Sequence, residues 1–226
     1  MDIIELIKGS QQSQKDSFVG RPIGHLHEFY LSGEITSSDN YTEWFDTIRH
    51  AGETDIVKIY INSPGGDLFT AIQFMRVLAE TDATVVASVE GACMSAATMI
   101  FLCAEQFEVT PHSMFMFHNY SGGTFGKGGE MIDQLQHERK WSEGLLREIY
   151  EDFLTEEEIT SILDNRDIWL DGTDVLKRLT NKVASAKAKW EAAQAAAIAA
   201  EVSPEEKVTP VRRKPVAKKQ QNTAKK

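Results

Sequence analysis

The chain has 226 residues, of which 42% are hydrophobic, and a formal net charge of −10. This composition is typical of one globular core with an extension, and no apolar run approaches the roughly 20 residues of a membrane-spanning helix. The only two cysteines, Cys93 and Cys103, lie in apolar surroundings and favour reduced thiols of an intracellular protein over a disulfide.

The predicted elements alternate between strands and helices. Residues 1–25 are polar with weak periodicity and predict a flexible arm. β-branched and aromatic runs predict strands at 28–33, 57–62, 84–89 and 113–118, and apolar stripes at helical spacing predict helices at 41–48, 67–80, 95–104 and 130–154. Such alternation is typical of an α/β fold with parallel strand pairing.

The C-terminal part differs in composition from the rest. An Ala-rich helix is predicted over 183–203 and a basic disordered tail over 204–226, which leaves 26–182 as the folded domain. Residues 207–226 carry eight Lys or Arg and no acidic residue, so residues 1–206 have a net charge of −18. An acidic body disfavours a nucleic-acid surface. We interpret the tail as a solubilising extension, with nucleic-acid contact as the less favoured alternative.

Two glycine-containing corners follow neighbouring predicted strands. Gly65 and Gly66 end the strand at 57–62, and Gly91 is predicted to turn the strand at 84–89 into the next helix, with Ser95 near its first residue. Ligand sites of α/β folds lie at the carboxyl ends of strands, which favours Ser95 as a reactive group. It could be a nucleophile beside free backbone amides or, more simply, a helix N-cap.

An active serine needs a base, an orienting acid and donors for an oxyanion. His118 is the best candidate base, because it ends an apolar strand before a loop; a hydrogen-bonded histidine at the edge of the core is the alternative. Asp167 is an attractive acid because the apolar residues after it suggest partial burial, whereas a surface aspartate is the default. The glycines at 65 and 66 allow backbone amides to approach a ligand. The histidines suggest no metal site.

Four segments together resemble the proteolytic subunit of the caseinolytic (Clp) protease over roughly residues 28–170. In chain order they are YINSPGG at 60–66, GACMSAA at 91–97, Met116–His118 followed by Gly122 and Gly123, and Arg166 with Asp167. The resemblance implies a ClpP/crotonase-like fold of repeated strand-strand-helix units. It also implies a protruding handle helix from Glu130 and assembly into rings.

The resemblance also implies roles for individual residues. By position, the catalytic residues would be the nucleophile Ser95, the general base His118 and the orienting acid Asp167. The backbone amides of Gly66 and Ala96 would form the oxyanion hole. Gly65, Gly122 and Gly123 would lie along the substrate channel, where a peptide adds as a strand. No metal or organic cofactor is implied.

The implied function is a cytoplasmic serine endopeptidase that cuts unfolded or delivered polypeptides inside a homo-oligomeric ring, in the manner of stacked heptamers. ATP would be used by a partner AAA+ unfoldase, since the chain has no G-x-x-x-x-G-K-[ST] loop. Residues 170–176 depart from the family's usual pattern, and the first 25 residues do not resemble its axial loops. Both departures indicate a divergent member.

Three alternatives stay open at this stage. A phage head-maturation protease of the same fold, acting in capsid assembly, would suit a specialised tail. A crotonase-like acyl-CoA hydratase or isomerase would share the pair of oxyanion amides but commonly uses carboxylates in place of a Ser-His pair. A catalytically silent ring subunit would serve as a scaffold. Cys93 is a poor candidate nucleophile, because its position predicts a side chain that points into the core.

Overall fold

The structure, a computed structural model, describes residues 23–201. The basic tail predicted over 204–226, and all but the last three residues of the arm predicted over 1–25, lie outside the described residues. Within them the strands are β1 (Leu26–Ser32), β2 (Ile56–Ser63), β3 (Thr84–Met94), β4 (Gln106–Val109), β5 (Met114–Phe117) and β6 (Ile168–Asp171).

A 3-10 helix (Ser38–Tyr41) leads directly into the first α-helix. The α-helices are α1 (Thr42–His50), α2 (Leu68–Glu80), α3 (Ala96–Leu102), α4 (Gly128–Tyr150), α5 (Glu156–Leu163) and α6 (Gly172–Glu201). Helix α6 begins in a compact unit that ends at Lys182 and continues into a second unit from Val183. No helix of the described part is long and apolar enough to cross a membrane.

All six strands belong to one sheet in which β1, β2, β3, β5 and β6 are successive neighbours. β3 is long enough to pair with β4 along its first half and with β5 along its last three residues. Every pairing is parallel except β5 with β6, which is antiparallel. The predicted α/β class with parallel pairing is confirmed.

The core lies on one face of the sheet, because β1 and β2 alternate between buried and accessible side chains. Helix α2 covers this face with residues at helical spacing, among them Ala71, Phe74 and Val77, all fully buried. Its N-cap is Asp67, whose Oδ1 accepts a hydrogen bond from the Thr70 amide at 2.7 Å. The cap fixes where the helix begins, directly after the Gly65-Gly66 corner.

Several boundaries differ from the sequence prediction. Gly91 does not turn the chain: it lies inside β3, which continues to Met94 because its last residues pair with β5. The helix predicted over 130–154 ends at Tyr150 and is followed by the separate helix α5, which has a Thr155/Glu158 capping box. The helix predicted to begin at 183 begins at Gly172.

Candidate active site

Ser95 occupies the corner between β3 and α3 in an unusual backbone conformation. Its φ is 54° and its ψ −129°, a combination that glycine dominates and other residues rarely adopt. It stands at the N-cap position, but its side chain caps no helix amide. The predicted N-cap position is confirmed, whereas the capping hydrogen bond expected of the serine oxygen is not formed. Instead Oγ lies 2.6 Å from Nε2 of His118, which follows the last residue of β5.

Two hydrogen bonds of the INSPGG segment shape the corner next to this serine. Oδ1 of Asn62 accepts a hydrogen bond from the Ala92 amide at 3.1 Å, across an irregularity in the β2–β3 register. A Cβ on Gly91 would lie 2.8 Å from that Asn62 oxygen, so a larger residue there would displace the Asn62 side chain. Oγ of Ser63 accepts from the Gly65 amide at 3.1 Å and holds the corner closed.

The two glycines of the corner are each required by close contacts. A Cβ on Gly65 would lie 2.6 Å from Cβ of Ser95, and one on Gly66 would lie 2.2 Å from the carbonyl oxygen of Ile35. The φ angles are +95° and +146°. Ile35 is bound to this corner, since its amide donates to the Gly65 carbonyl and its carbonyl accepts from the Asp67 amide, both at 2.8 Å.

Two backbone N–H groups next to Ser95 find no backbone acceptor in the described part of the chain. Among residues 23–201, neither the Gly66 amide nor the Ala96 amide donates a backbone hydrogen bond. Ala96 is the first residue of α3, where an amide has no partner within the helix. Both residues line the same cavity as Ser95, so both amides are close to any group that the serine attacks.

Asp167 and His118 directly flank the last residue pair of the β5–β6 ladder and share no hydrogen bond. Phe117 pairs with Ile168 in the antiparallel β5–β6 ladder, so continuing the register by one residue puts Asp167 opposite His118. The partial burial predicted for Asp167 is wrong, because the side chain is exposed. Within the described residues no hydrogen bond or ion pair engages its carboxylate. The Ser-His pair is thus present, whereas Asp167 is related to His118 only by extension of the backbone register.

A cavity of about 610 Å³ opens at Ser95 and His118. Its apolar wall combines residues of α2, α3 and α4: Leu68, Phe69, Met99, Trp141, Leu145, Leu146 and Tyr150. Phe69 and Trp141 stack with ring centroids 5.8 Å apart. Gly122 and Gly123 line the cavity, whereas Gly65 is not among the described residues that line it; a substrate channel here stays a prediction.

Polar side chains also line the cavity, among them His118, Asn119, Ser121 and His137. Its lining includes two carboxylates, those of Asp67 and Glu138. Burial, followed by the nearby Glu138 carboxylate, raises the pKa of Tyr120 above its usual value. The described residues contain no cluster of three or more His, Cys, Asp or Glu able to hold a metal ion.

The cysteines behave as the sequence predicts. Both are free, Cys93 is buried and Cys103 is half-buried. Burial raises the pKa of Cys103 to about 11 and that of Cys93 well above its usual value, so both are protonated thiols at neutral pH. Cys93, two residues before Ser95, is thereby excluded as the nucleophile of this corner.

Sequence reasoning did not identify two buried residues beneath the serine. Oγ1 of Thr98 donates to the Ser95 carbonyl at 2.7 Å, and the hydroxyl of Tyr150 lies 2.8 Å from the same Oγ1. The sequence spacing alone indicates a contact between Thr98 and Ser95, because Thr98 lies three residues after Ser95 on the predicted helix. Nothing in the sequence links Tyr150 to this corner, since 52 residues separate it from Thr98.

Fold and site together define an α/β protein with a Ser-His pair at a strand-to-helix corner. The Clp protease family model matches residues 31–185, and the chain belongs to that family. Family membership implies a serine peptidase. A point mutant of ClpP1 from Listeria monocytogenes has a similar fold, with a TM-score of 0.57 at 22% identity over 67% of this chain and 86% of that chain. Curated proteins give no match.

Proposed function

We propose that the chain is a serine endopeptidase in which Ser95 is the nucleophile, His118 the general base and Asp167 the orienting acid. The observation that carries the proposal is the 2.6 Å separation of Ser95 Oγ and His118 Nε2. A hydrogen bond of that length is suited to proton transfer during attack. The rare backbone conformation of Ser95 supports a functional reason for its position.

The proposed reaction is acyl transfer in two steps. Oγ of Ser95 attacks the scissile carbonyl carbon while Nε2 of His118 takes the hydroxyl proton. Collapse of the tetrahedral intermediate breaks the C–N bond, and His118 gives the proton to the leaving amine. Water then attacks the acyl-enzyme with His118 again as base, which releases the new carboxyl end and restores the serine.

The oxyanion hole in this proposal consists of the amides of Gly66 and Ala96. Their lack of a backbone acceptor and their position on the cavity of Ser95 support the assignment. An oxyanion donor of this kind contributes roughly 3 kcal/mol to transition-state stabilisation. Because both donors belong to the backbone, the side chain of residue 96 has no direct part in the chemistry.

The role of Asp167 rests on its register opposite His118. We propose that its carboxylate accepts a hydrogen bond from Nδ1 of His118 in the working enzyme, which fixes the tautomer and stabilises the imidazolium. Asp167→Asn is expected to lower kcat on the order of 10⁴-fold with little change in KM. A wild-type kcat in that variant would exclude Asp167 from catalysis.

The substrate is proposed to be an unfolded or delivered polypeptide. The cavity beside Ser95 has an apolar wall that suits a large apolar side chain next to the scissile bond. Gly122 and Gly123 leave their backbone accessible for a substrate strand. The apolar wall therefore predicts faster cleavage after leucine or phenylalanine than after aspartate.

The assembly and cellular setting are part of the same proposal. We propose a homo-oligomeric ring, in the manner of stacked heptamers, that encloses the sites and receives substrate from an AAA+ unfoldase in the cytoplasm. Exposed apolar side chains on α4, such as Ile132 at 58% and Leu135 at 47%, support burial of that helix by another subunit. Sedimentation of the full chain tests ring formation, and a monomer at micromolar concentration would contradict it.

The chemistry is tested with a fluorophosphonate probe and intact-mass measurement. One adduct per chain is expected in the wild type and none in Ser95→Ala or His118→Ala. Ser161→Ala and His50→Ala serve as matched controls, because the Ser161 hydroxyl bonds only to its own helix and His50 is exposed on α1. Both controls should label like the wild type.

Two outcomes would contradict the proposal. An adduct that persists in Ser95→Ala would assign the reactive group elsewhere, and an assembled wild-type ring without any adduct would favour a scaffold. Turnover of an acyl-CoA thioester that survives Ser95→Ala would support the crotonase-like alternative. The oligomer mass is recorded on the same sample, so that assembly and reactivity are compared directly.

A further inference from the structure

Hydrogen bonds fix the backbone of Ser95 at both its amide and its carbonyl group. Its amide donates to the Met116 carbonyl on β5 at 2.8 Å. Its carbonyl oxygen accepts twice from Thr98, from the amide at 2.9 Å and from Oγ1 at 2.7 Å. Because the φ/ψ combination of this serine is costly, these contacts determine whether the corner keeps its shape.

The Thr98 hydroxyl is in turn bound by a tyrosine from another helix. Thr98 has one hydroxyl proton and donates it to the Ser95 carbonyl, so the Tyr150 hydroxyl must donate to Thr98 Oγ1 across the 2.8 Å contact. Thr98 is 0% and Tyr150 1% exposed. Burial raises the pKa of Tyr150 far above its usual value, so the phenol keeps its proton.

The carbonyl of Ser95 and the amide of Ala96 are two ends of one peptide unit. That unit is planar, and its C=O and N–H point in opposite directions. Fixing the Ser95 oxygen toward Thr98 therefore also fixes the direction of the Ala96 N–H, which points away from the helix at a residue that lines the cavity. The direction of that N–H is what an oxyanion donor requires, since its stabilisation depends on alignment with the developing charge.

We propose that Thr98 and Tyr150 form a positioning pair that aims the Ala96 amide at the oxyanion. This inference rests on the proposed function of Ser95. Neither side chain touches the reacting atoms: Tyr150 acts on Thr98, and Thr98 acts on the peptide between Ser95 and Ala96. The pair stabilises the transition state selectively, because the amide is most strongly engaged when the carbonyl oxygen becomes negative.

The test uses four variants that change single groups. Tyr150→Phe removes only the hydroxyl and keeps the ring, which packs edge-on against Phe117. Thr98→Val removes the hydroxyl at nearly constant shape, Thr98→Ser restores it, and the fourth variant combines Thr98→Val with Tyr150→Phe. Tyr41→Phe is the matched control, because Tyr41 is also buried and its hydroxyl instead accepts from the Thr36 amide.

The measured quantities are the rate of fluorophosphonate labelling, kcat and KM on a fluorogenic leucine peptide, and affinity for the corresponding peptide boronate. Tyr150→Phe should lower kcat, labelling rate and boronate affinity about fivefold, the usual worth of one buried hydrogen bond, with KM unchanged. Thr98→Val should have a larger effect of the same kind, whereas Thr98→Ser and Tyr41→Phe should behave like the wild type. The double variant should match Thr98→Val alone.

Three results would overturn the inference. Effects that multiply in the double variant would mean that Tyr150 does not act through Thr98. A changed KM with constant kcat in Tyr150→Phe would mean that Tyr150 contributes to substrate binding as part of the cavity wall and does not position the amide. Equal kcat in Tyr150→Phe and Tyr41→Phe would remove any role for the hydroxyl. Tyr150→Phe and Thr98→Ser decide the question even where Thr98→Val unfolds. The two failures can be told apart by labelling of the wild type. An unlabelled wild type would overturn the proposed function of Ser95, whereas a labelled wild type with any of the three results above would overturn only the role of Thr98 and Tyr150.

Discussion

Replacing Ser95 by glycine is expected to give a more stable protein than replacing it by alanine. Both substitutions remove the hydroxyl and its contact with His118, so their difference isolates the backbone. Alanine must still adopt a φ of 54° and a ψ of −129°, whereas glycine adopts these angles without steric cost. The comparison measures how much strain the corner stores.

The size of the difference follows from two opposing terms. A residue in a sparsely populated backbone region costs about 1–3 kcal/mol, which glycine relieves. Glycine also loses about 0.4–1 kcal/mol relative to alanine, because its unfolded chain has more conformations. The net expectation is that Ser95→Gly is about 0.5–2 kcal/mol more stable than Ser95→Ala, or about 1–8 °C in Tm for a chain of this size.

The assay is calorimetry supported by urea unfolding, with both variants at one concentration because association would shift Tm. Fluorophosphonate labelling should be absent from both. A Tm of Ser95→Gly equal to or below that of Ser95→Ala would refute the claim that Ser95 is strained. It would also contradict the inference that the hydrogen bonds of the Ser95 amide and carbonyl are needed to maintain its backbone conformation.

Three further changes test other parts of the structure. Gly65→Ala should destabilise more than Gly33→Ala, because both glycines have positive φ but only at 65 would the new Cβ meet Ser95; equal Tm values would contradict the close contact. Hydrogen bonds from the Gly52 and His25 amides lower the pKa of Asp55 from 3.8 to about 2, so its contribution to stability is complete above 3.8 and lost as pH falls to about 2. The stability difference between wild type and Asp55→Asn should therefore vanish over that window, and a constant difference would exclude this role. Arg178→Met should cost about 1–2 kcal/mol, since Arg178 donates twice to the Glu158 carboxylate at 2.7 Å. The neighbouring Lys177→Met should cost under about 0.5 kcal/mol, since its bridge to Asp174 is exposed; equal losses would argue against a special Arg178 pair.

Strands and helices with strong local patterns were predictable from the sequence. β2 alternates between buried and accessible residues, and α2 has an apolar stripe with a capping aspartate directly before it. Both signals are local, so neither needs knowledge of the fold. The corner at Gly65 and Gly66 and the candidate nucleophile after β3 follow from the same kind of pattern.

Elements defined by distant partners were not predictable. β4 (QFEV) and β6 (IWLD) are four residues each and lack a fully apolar run such as the MFMF that marks the equally short β5. β3 extends past Gly91 because β5 pairs with its end, a contact that overrides the usual meaning of glycine as a turn. Helix α5 is different, because its Thr155-x-x-Glu158 capping box was available in the sequence and was missed.

The residues of the candidate site also differ in whether a local sequence pattern could predict their placement. Ser95 and His118 each stand at the end of a recognisable strand, and the structure brings them together. The exposure of Asp167 depends on how the turn before β6 lies, which the apolar residues after it do not determine. The contact of Tyr150 with Thr98 spans two helices that no local pattern connects.

The antiparallel pairing of β5 with β6 has a consequence for how this chain can change over evolution. β5 (Met114–Phe117) and β6 (Ile168–Asp171) are paired neighbours in the sheet. The segment that joins them therefore begins and ends at adjacent positions of the sheet. Loop-closure entropy rises slowly with length, by roughly 0.6 kcal/mol per doubling. The exposed first half of α4 can therefore change in length while β5 and β6 keep their register, because the buried residues of that helix are Ser142, Leu146 and Tyr150 in its second half. Variation in this segment is compatible with the sheet, whereas the second half of α4 is constrained by its contacts at the cavity.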